Sequence, residues 1–319
     1  MDTLFEAFLK QHDGPAWATV RTSLRPSIHE VDRNAVDIWF HFFPLPLADA
    51  FARSENPAQL AQDLRMDGNW RLNEQHDGSH WFFYGHRYWP RVKAAIIARA
   101  ESTAPTSTLE LGTMIRDIAR EVASAERADE SLVLGITAAG LMTLQQIGLA
   151  AFRQSSPAEE VPAGFAKKSP AQILAARSKD DGQGLMGMFR GLKARYTVTF
   201  DERRDTARFP LIFQQHLTTA SANDTRQYAS GPRRCHEGPI PVQCRTASCG
   251  TCWVGVLAGA DKLSEVDEME SRRMKEFGYI NTAETRPVIR LACMALGTGN
   301  VSIVIPPWNG FIGKAGLGT

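Results

Sequence analysis

The sequence predicts an α+β protein with its helices first and its strands last, and three observations predict it. Apolar residues recur at helical spacing through the first 155 residues. Short alternating runs take over from about residue 195, and a polar, proline-containing stretch lies between the two regimes. The reading is therefore a helical domain over residues 1–155, a connector over 156–194 and a smaller strand-containing domain over 195–319. With 319 residues and 43% apolar content, the chain can supply two cores.

Taken in order, Val36–Phe43 and Leu45–Ala52 are apolar segments interrupted by Pro44 and Pro46, and Pro57–Leu64 has a helical pattern. Trp81–Arg99 is predicted to run helically through Pro90, which begins or kinks the element. Thr108–Ala125 opens on Thr108 and Glu110, and Leu132–Phe152 forms a long helix, so a helical bundle is the simplest account. Leu132–Phe152 is uncharged over 21 residues, enough at about 1.5 Å per residue to cross a hydrocarbon core of roughly 30 Å. It also contains adjacent Gln145 and Gln146, two threonines and three glycines, without an aromatic belt or basic flank. Both a buried central helix and a peripheral membrane association through 132–152 are compatible with that pattern.

The run His80–Trp89 holds six aromatics in ten residues, and with Trp39, Phe40, Phe42 and Phe43 it reads as core or as a docking face. His41, His76, His80 and His86 lie close by in sequence. His76 and His80 would share a helix face as metal ligands do, but Asp77-Gly-Ser79 between them reads as a turn. In the connector, Gly182-x-Gly184-x-x-Gly187 matches a dinucleotide fingerprint formally, yet no strand precedes it, and a hinge or short helix is expected there.

Past residue 195, Tyr196–Phe200 alternates as a first strand and Ala207–Phe213 reads as a second. Trp253–Leu257 is a buried strand closed by a turn at Gly259 and Asp261. Leu263–Phe277 has a Ser264 start, acids early and bases late, as a helix complementing its own dipole would. Val288–Met294 is a short apolar run, and Asn300–Pro306 alternates as a final strand ended by Pro306 and Pro307.

Four cysteines are threaded through these elements. Cys244, Cys249 and Cys252 form C-x4-C-x2-C and Cys293 follows at a distance, which is the thiolate spacing of a plant-type [2Fe-2S] cluster. The residues between the first three are small, which leaves backbone amides room to face the sulfides. A structural zinc site would usually present two C-x2-C pairs, and here there is one. An odd count of five cysteines and an acidic start unlike a signal peptide argue against disulfides and for reduced thiols, hence a cytoplasmic setting. Cys235 has no place in the motif and is read as a spare thiol.

With the loop C-R-x-x-S-C-G-T-C, the helix start KLSEVDEME and the run RLACMA before a terminal strand, residues 195–310 resemble the [2Fe-2S] ferredoxin family. The resemblance implies a β-grasp fold, one bound [2Fe-2S] cluster and one-electron transfer. It implies that Cys244 and Cys249 hold an outer iron carrying most of the added electron, that Cys252 and Cys293 hold an inner one, and that Arg245, Ser248 and Thr251 lie around the sulfurs. Ala247 stands where members often carry glycine, so a different φ or a shifted amide is expected there. The segment 214–243 is longer and more polar than the family's usual single helix, and the 40 residues between Cys252 and Cys293 leave room for an extra loop around 279–286.

Charge narrows the function further. The chain has 36 basic and 35 acidic residues, which removes a general electrostatic case for nucleic-acid binding. From residue 195 onward 15 Lys and Arg face 12 Asp and Glu, whereas freely diffusing ferredoxins are commonly acidic, so a dedicated partner or a place in a complex is expected. The favoured function is an electron-transfer subunit that relays electrons to or from a partner oxidoreductase or membrane redox complex, without catalysis of its own. The alternatives are a redox-sensing or scaffold protein, and a reductase fused to a ferredoxin, which lacks a credible flavin or nucleotide motif in the first 194 residues.

Overall fold

The computed structural model describes residues 3–64, 66–102, 110–158, 160–179, 195–226, 237–276 and 284–309. Among them the helices are α1 (Leu4–Lys10), α2 (Gly14–Leu24), α3 (Glu30–Phe42), α4 (Leu45–Arg53), α5 (Pro57–Asp63), α6 (Trp89–Glu101), α7 (Leu111–Glu126), α8 (Glu130–Arg153), α9 (Ala163–Ala166), α10 (Pro170–Ser178), α11 (Leu217–Ala222) and α12 (Glu268–Glu276). The strands are β1 (Asp67–Gly68), β2 (Arg195–Thr199), β3 (Arg208–Ile212), β4 (Gln215–His216), β5 (Trp253–Ala258), β6 (Ile289–Leu291), β7 (Leu296–Gly297), β8 (Val301–Val304) and β9 (Trp308–Asn309). The chain divides into two compact units, 1–49 with 71–161 and 50–70 with 162–319.

The first unit is all helical. Its axis is α8, which packs on α1, α3, α6 and α7. A helix apolar around its circumference must be enclosed on every side, and residues 132–144 of α8 are buried without exception. By length and composition α8 would also suffice to cross a membrane. At Gly148 the backbone leaves the helix (φ 76°, ψ 160°), a combination open essentially to glycine alone, and the next turn restarts with Leu149 N–H donating to the buried carboxylate of Glu6 at 2.7 Å. Glu6 itself belongs to a capping box with Thr3 at the start of α1, so one short helix anchors the break in the longest.

Two expectations change here. The stretch 81–88 is turn and 3-10 backbone, and α6 begins only at Trp89, because Pro90 sits in the first helical turn where its missing N–H costs nothing. Helices α1 and α2 lie in the expected helical domain but were not singled out as elements; they are short, and α2 buries only Trp17 and Leu24, too few for a clear apolar period. Their caps, Thr3 with Glu6 and Asp13 before Pro15, were nonetheless in the sequence. The aromatic run is mostly core, with Trp39, Phe42, Phe83 and Trp89 all buried.

The second unit holds a five-stranded mixed sheet in the order β3-β2-β8-β5-β6. β2 and β3 form an antiparallel hairpin, β2 pairs in parallel with β8 at the centre (Val198 opposite Val301), and β5 runs antiparallel to both β8 and β6. First and last long strands side by side and parallel, with β3 antiparallel to the one and β5 antiparallel to the other, give the β-grasp arrangement. The protein is thus α+β, helical first and sheet-containing last. α9 and α10, in the stretch read as connector, belong to this unit; α10 opens on a capping box between Ser169 and Gln172. α12 is shorter than expected. Ser264 does not cap it: its Oγ accepts from Leu296 N–H, and Asp267 caps instead, accepting from Glu270 N–H at 2.7 Å. Thr108, the glycines 182–187 and residues 279–283 lie outside the described residues.

Candidate metal centre

The approach to the cysteine loop is fixed from below. Gly238 (φ 74°) passes so close to α11 that a Cβ there would lie 1.9 Å from the Ser221 carbonyl oxygen, which only glycine permits. Ile240 N–H then donates to Ser221 Oγ at 3.0 Å. In the loop itself Arg245, Ala247 and Gly250 take left-handed φ of 57°, 58° and 63°. Alternating hands turn successive amides to one side: Thr246 N–H points to Cys244 Sγ at 3.4 Å, and the Ala247 amide donates to Cys293. Ala247 thus takes a left-handed conformation that glycine adopts more readily, and the strain costs about 1–2 kcal/mol.

The other half of the site comes from the sheet. Cys252 precedes β5 and Cys293 follows β6, and the ladder that sets Trp253 opposite Leu291 continues into Ala292 N–H donating to Cys252 O at 3.0 Å. Cys252 and Cys293 are thereby brought close enough to shift each other's ionisation, as are Cys244 and Cys249. Hydrogen bonding to Cys293, reinforced by burial, pushes the Cys252 thiol well up, and the same bond lowers Cys293. Burial pushes Cys249 up. Burial opposes ionisation of Cys244 too, but hydrogen bonds from Ser248, the Thr246 amide and Cys249 outweigh it and bring that thiol down to about 6. Cys249, Cys252 and Cys293 are buried, and Cys244 is the partly exposed member.

Two pairs of sulfurs, each felt electrostatically by the other, suit a binuclear core in which each iron takes two thiolates. The donor set, four cysteine sulfurs coupled two by two, fits a diiron cluster.

Sequence reasoning missed the group that holds the sheet side rigid. Glu270 of α12 and Arg290 of β6 form a bidentate ion pair at 2.9 and 2.8 Å with both side chains 1% exposed. Arg290 also donates to Ser264 O at 2.7 Å, and Glu270 accepts from Leu291 N–H at 2.9 Å, two residues before Cys293. The available signal was a lone arginine inside the apolar run Val288–Met294, which demands a buried partner.

Residues 213–297 match the family of 2Fe-2S iron-sulfur cluster binding domains, a range that contains the whole cysteine constellation. This segment is a 2Fe-2S domain. It binds a [2Fe-2S] cluster, which supports an iron-sulfur electron-carrier role. The family match does not extend to the N-terminal region, and comparison with curated proteins and with solved structures gave no match.

Of the side chains expected around the sulfurs in the 2Fe-2S domain, Ser248 bonds to Cys244 and the Thr251 hydroxyl lies 3.2 Å from Cys249 Sγ. Arg245 instead turns to Glu237. Cys235 falls outside the described residues. The histidines singled out in the first unit have ordinary partners: His76 lies 3.0 Å from Gln154 O and 3.3 Å from Lys93 Nζ, and the Nδ1 atoms of His80 and His86 are 2.8 Å apart.

Proposed function

We propose that Cys244 and Cys249 hold one iron of the [2Fe-2S] cluster, that Cys252 and Cys293 hold the other, and that the protein is a one-electron relay to or from a partner oxidoreductase or membrane redox complex. The observation that carries this reading is the pairing of the four sulfurs. When bound, the cluster supplies a single reversible one-electron step. The chain's part is to hold four thiolates, to aim amides and hydroxyls at them, and to keep three of them out of water.

Cys244, the least buried ligand, offers the short path to a partner. Around it stand Arg245, Thr246 and Ser248, polar and exposed. The mildly basic balance from residue 195 onward supports a dedicated partner over a freely diffusing pool. The helical unit serves as the docking part of this assembly, with the protein working in the cytoplasm or peripherally at a membrane. Affinity isolation from the native host identifies the partner.

The ligand assignment is tested on anaerobically purified protein by iron and acid-labile sulfide assays, visible absorption and EPR. Two irons per chain and an absorption that bleaches on taking up one electron are expected. Cys252→Ser and Cys293→Ser should each lose the spectrum or make it labile, whereas Cys235→Ser should leave it unchanged. An unaltered spectrum in either ligand variant would overturn the assignment.

A further inference from the structure

The buried pair between α12 and β6 places two full charges beside the turn that presents Cys293. Arg290 Nε donates to Glu270 Oε1 at 2.9 Å, its Nη2 donates to Oε2 at 2.8 Å, and its Nη1 donates to Ser264 O at 2.7 Å. Glu270 Oε1 also accepts from Leu291 N–H at 2.9 Å. The carbonyl of the same Leu291 accepts from Met294 N–H at 2.8 Å and from Ala295 N–H at 3.1 Å. Leu291 therefore joins the carboxylate to the turn that contains Cys293.

Two residues of chain span at most about 7 Å, which puts the Glu270 carboxylate within about 10 Å of the Cys293 backbone. Both charged side chains are 1% exposed, so water and salt screen them little over that distance. At an effective dielectric of about 20, one unit charge at about 10 Å changes a one-electron equilibrium by more than about tenfold. The turn is also fixed by bonds in which the pair takes no part. Ala292 N–H donates to Cys252 O at 3.0 Å, and Thr218 N–H of α11 donates to Ala292 O at 3.3 Å. A cluster retained after a change in the pair therefore keeps its ligand geometry and reports the change in field.

We propose that Glu270 and Arg290 set the reduction potential of the cluster through their opposed charges, Glu270 disfavouring the added electron and Arg290 favouring it. The inference rests on Cys293 being a cluster ligand, and it gives the pair an electrostatic role beside its structural one. Because the intact pair is neutral overall, the two effects partly balance, and loss of either member uncovers the other.

The test is an anaerobic spectroelectrochemical titration of the cluster-loaded full chain at about pH 8, which favours the ionised carboxylate. Glu270→Gln should raise the potential and Arg290→Met should lower it, each by about 59 mV or more, the equivalent of a tenfold change in a one-electron equilibrium. Arg290→Gln keeps a donor facing the carboxylate and should shift the potential in the same direction as Arg290→Met, which makes the comparison where the methionine variant folds poorly. Glu270→Gln combined with Arg290→Met removes both charges and should return the potential toward the parent value. Arg290→Lys, which keeps the charge but not the fork, should stay near it. A purely structural role would move both single variants the same way. Intact clusters whose potentials are unchanged, or shifted in one common direction, overturn the proposal. The ligand assignment would then still stand, because the Cys293→Ser spectrum decides it separately.

Discussion

Ala247 shows how much of the site rests on single backbone torsions. Its φ of 58° is unfavourable for alanine, yet its amide reaches Cys293 and its methyl is buried. For Ala247→Gly, relief of about 1–2 kcal/mol of strain is offset by greater unfolded-state entropy and the lost methyl, so apo stability should change by less than about 1 kcal/mol. Ala247→Val places a branched side chain where L-residues are least tolerated. It should cost more than about 2 kcal/mol and lower cluster content, read by thermal unfolding and iron assay. At this scale the cysteines were legible from spacing, because chelation by a short loop dictates it. The direction in which Arg245 turns was not, since spacing carries no information about a rotamer.

Among elements, the tie between α12 and β6 decides whether Cys293 is presented. A buried, bidentate pair whose carboxylate also accepts a strand amide cannot lose one partner cheaply. Glu270→Gln or Arg290→Met alone should therefore destabilise by about 3–5 kcal/mol and make the cluster labile. Replacing both, Glu270→Leu with Arg290→Met, removes the uncompensated charge and should recover a substantial part of the loss. Urea midpoints and cluster retention measure both; a single variant as stable as the parent would contradict this role. The shortening of α12 has the same origin. Ser264 looked like a cap from sequence, but the sheet claims its hydroxyl for Leu296 and its carbonyl for Arg290. Local capping propensity yields where a residue has a tertiary partner.

In the whole molecule, acid sensitivity should originate in the helical unit as well as in the thiolate site. His80 is fully buried, and burial, with His86, His76 and Lys93 nearby, holds its pKa well below the ordinary 6.5. The folded state keeps it neutral while the unfolded state binds a proton below that value, so stability is complete above about pH 6.5 and declines as the pH falls beneath it. His80→Gln should flatten this limb by up to about one proton, seen in urea unfolding followed by tryptophan fluorescence at several pH values. Some slope should persist, because His41, also lowered by burial, acts in the same direction. An unchanged slope in His80→Gln would assign the acid limb to other groups.

By itself the sequence determined the chemistry and the class: cysteine spacing specified the cluster, and the change from helical to alternating periodicity specified helices before sheet. Both are local patterns written in consecutive residues, as were the caps of α1, α2 and α10. Tertiary structure alone decided that the sulfurs are coupled in two pairs, that a glutamate and an arginine twenty residues apart meet in the core, and that α9 and α10 join the sheet unit. Those outcomes depend on strand register and on which buried charge finds which partner, and such long-range contacts leave no periodic trace along the chain.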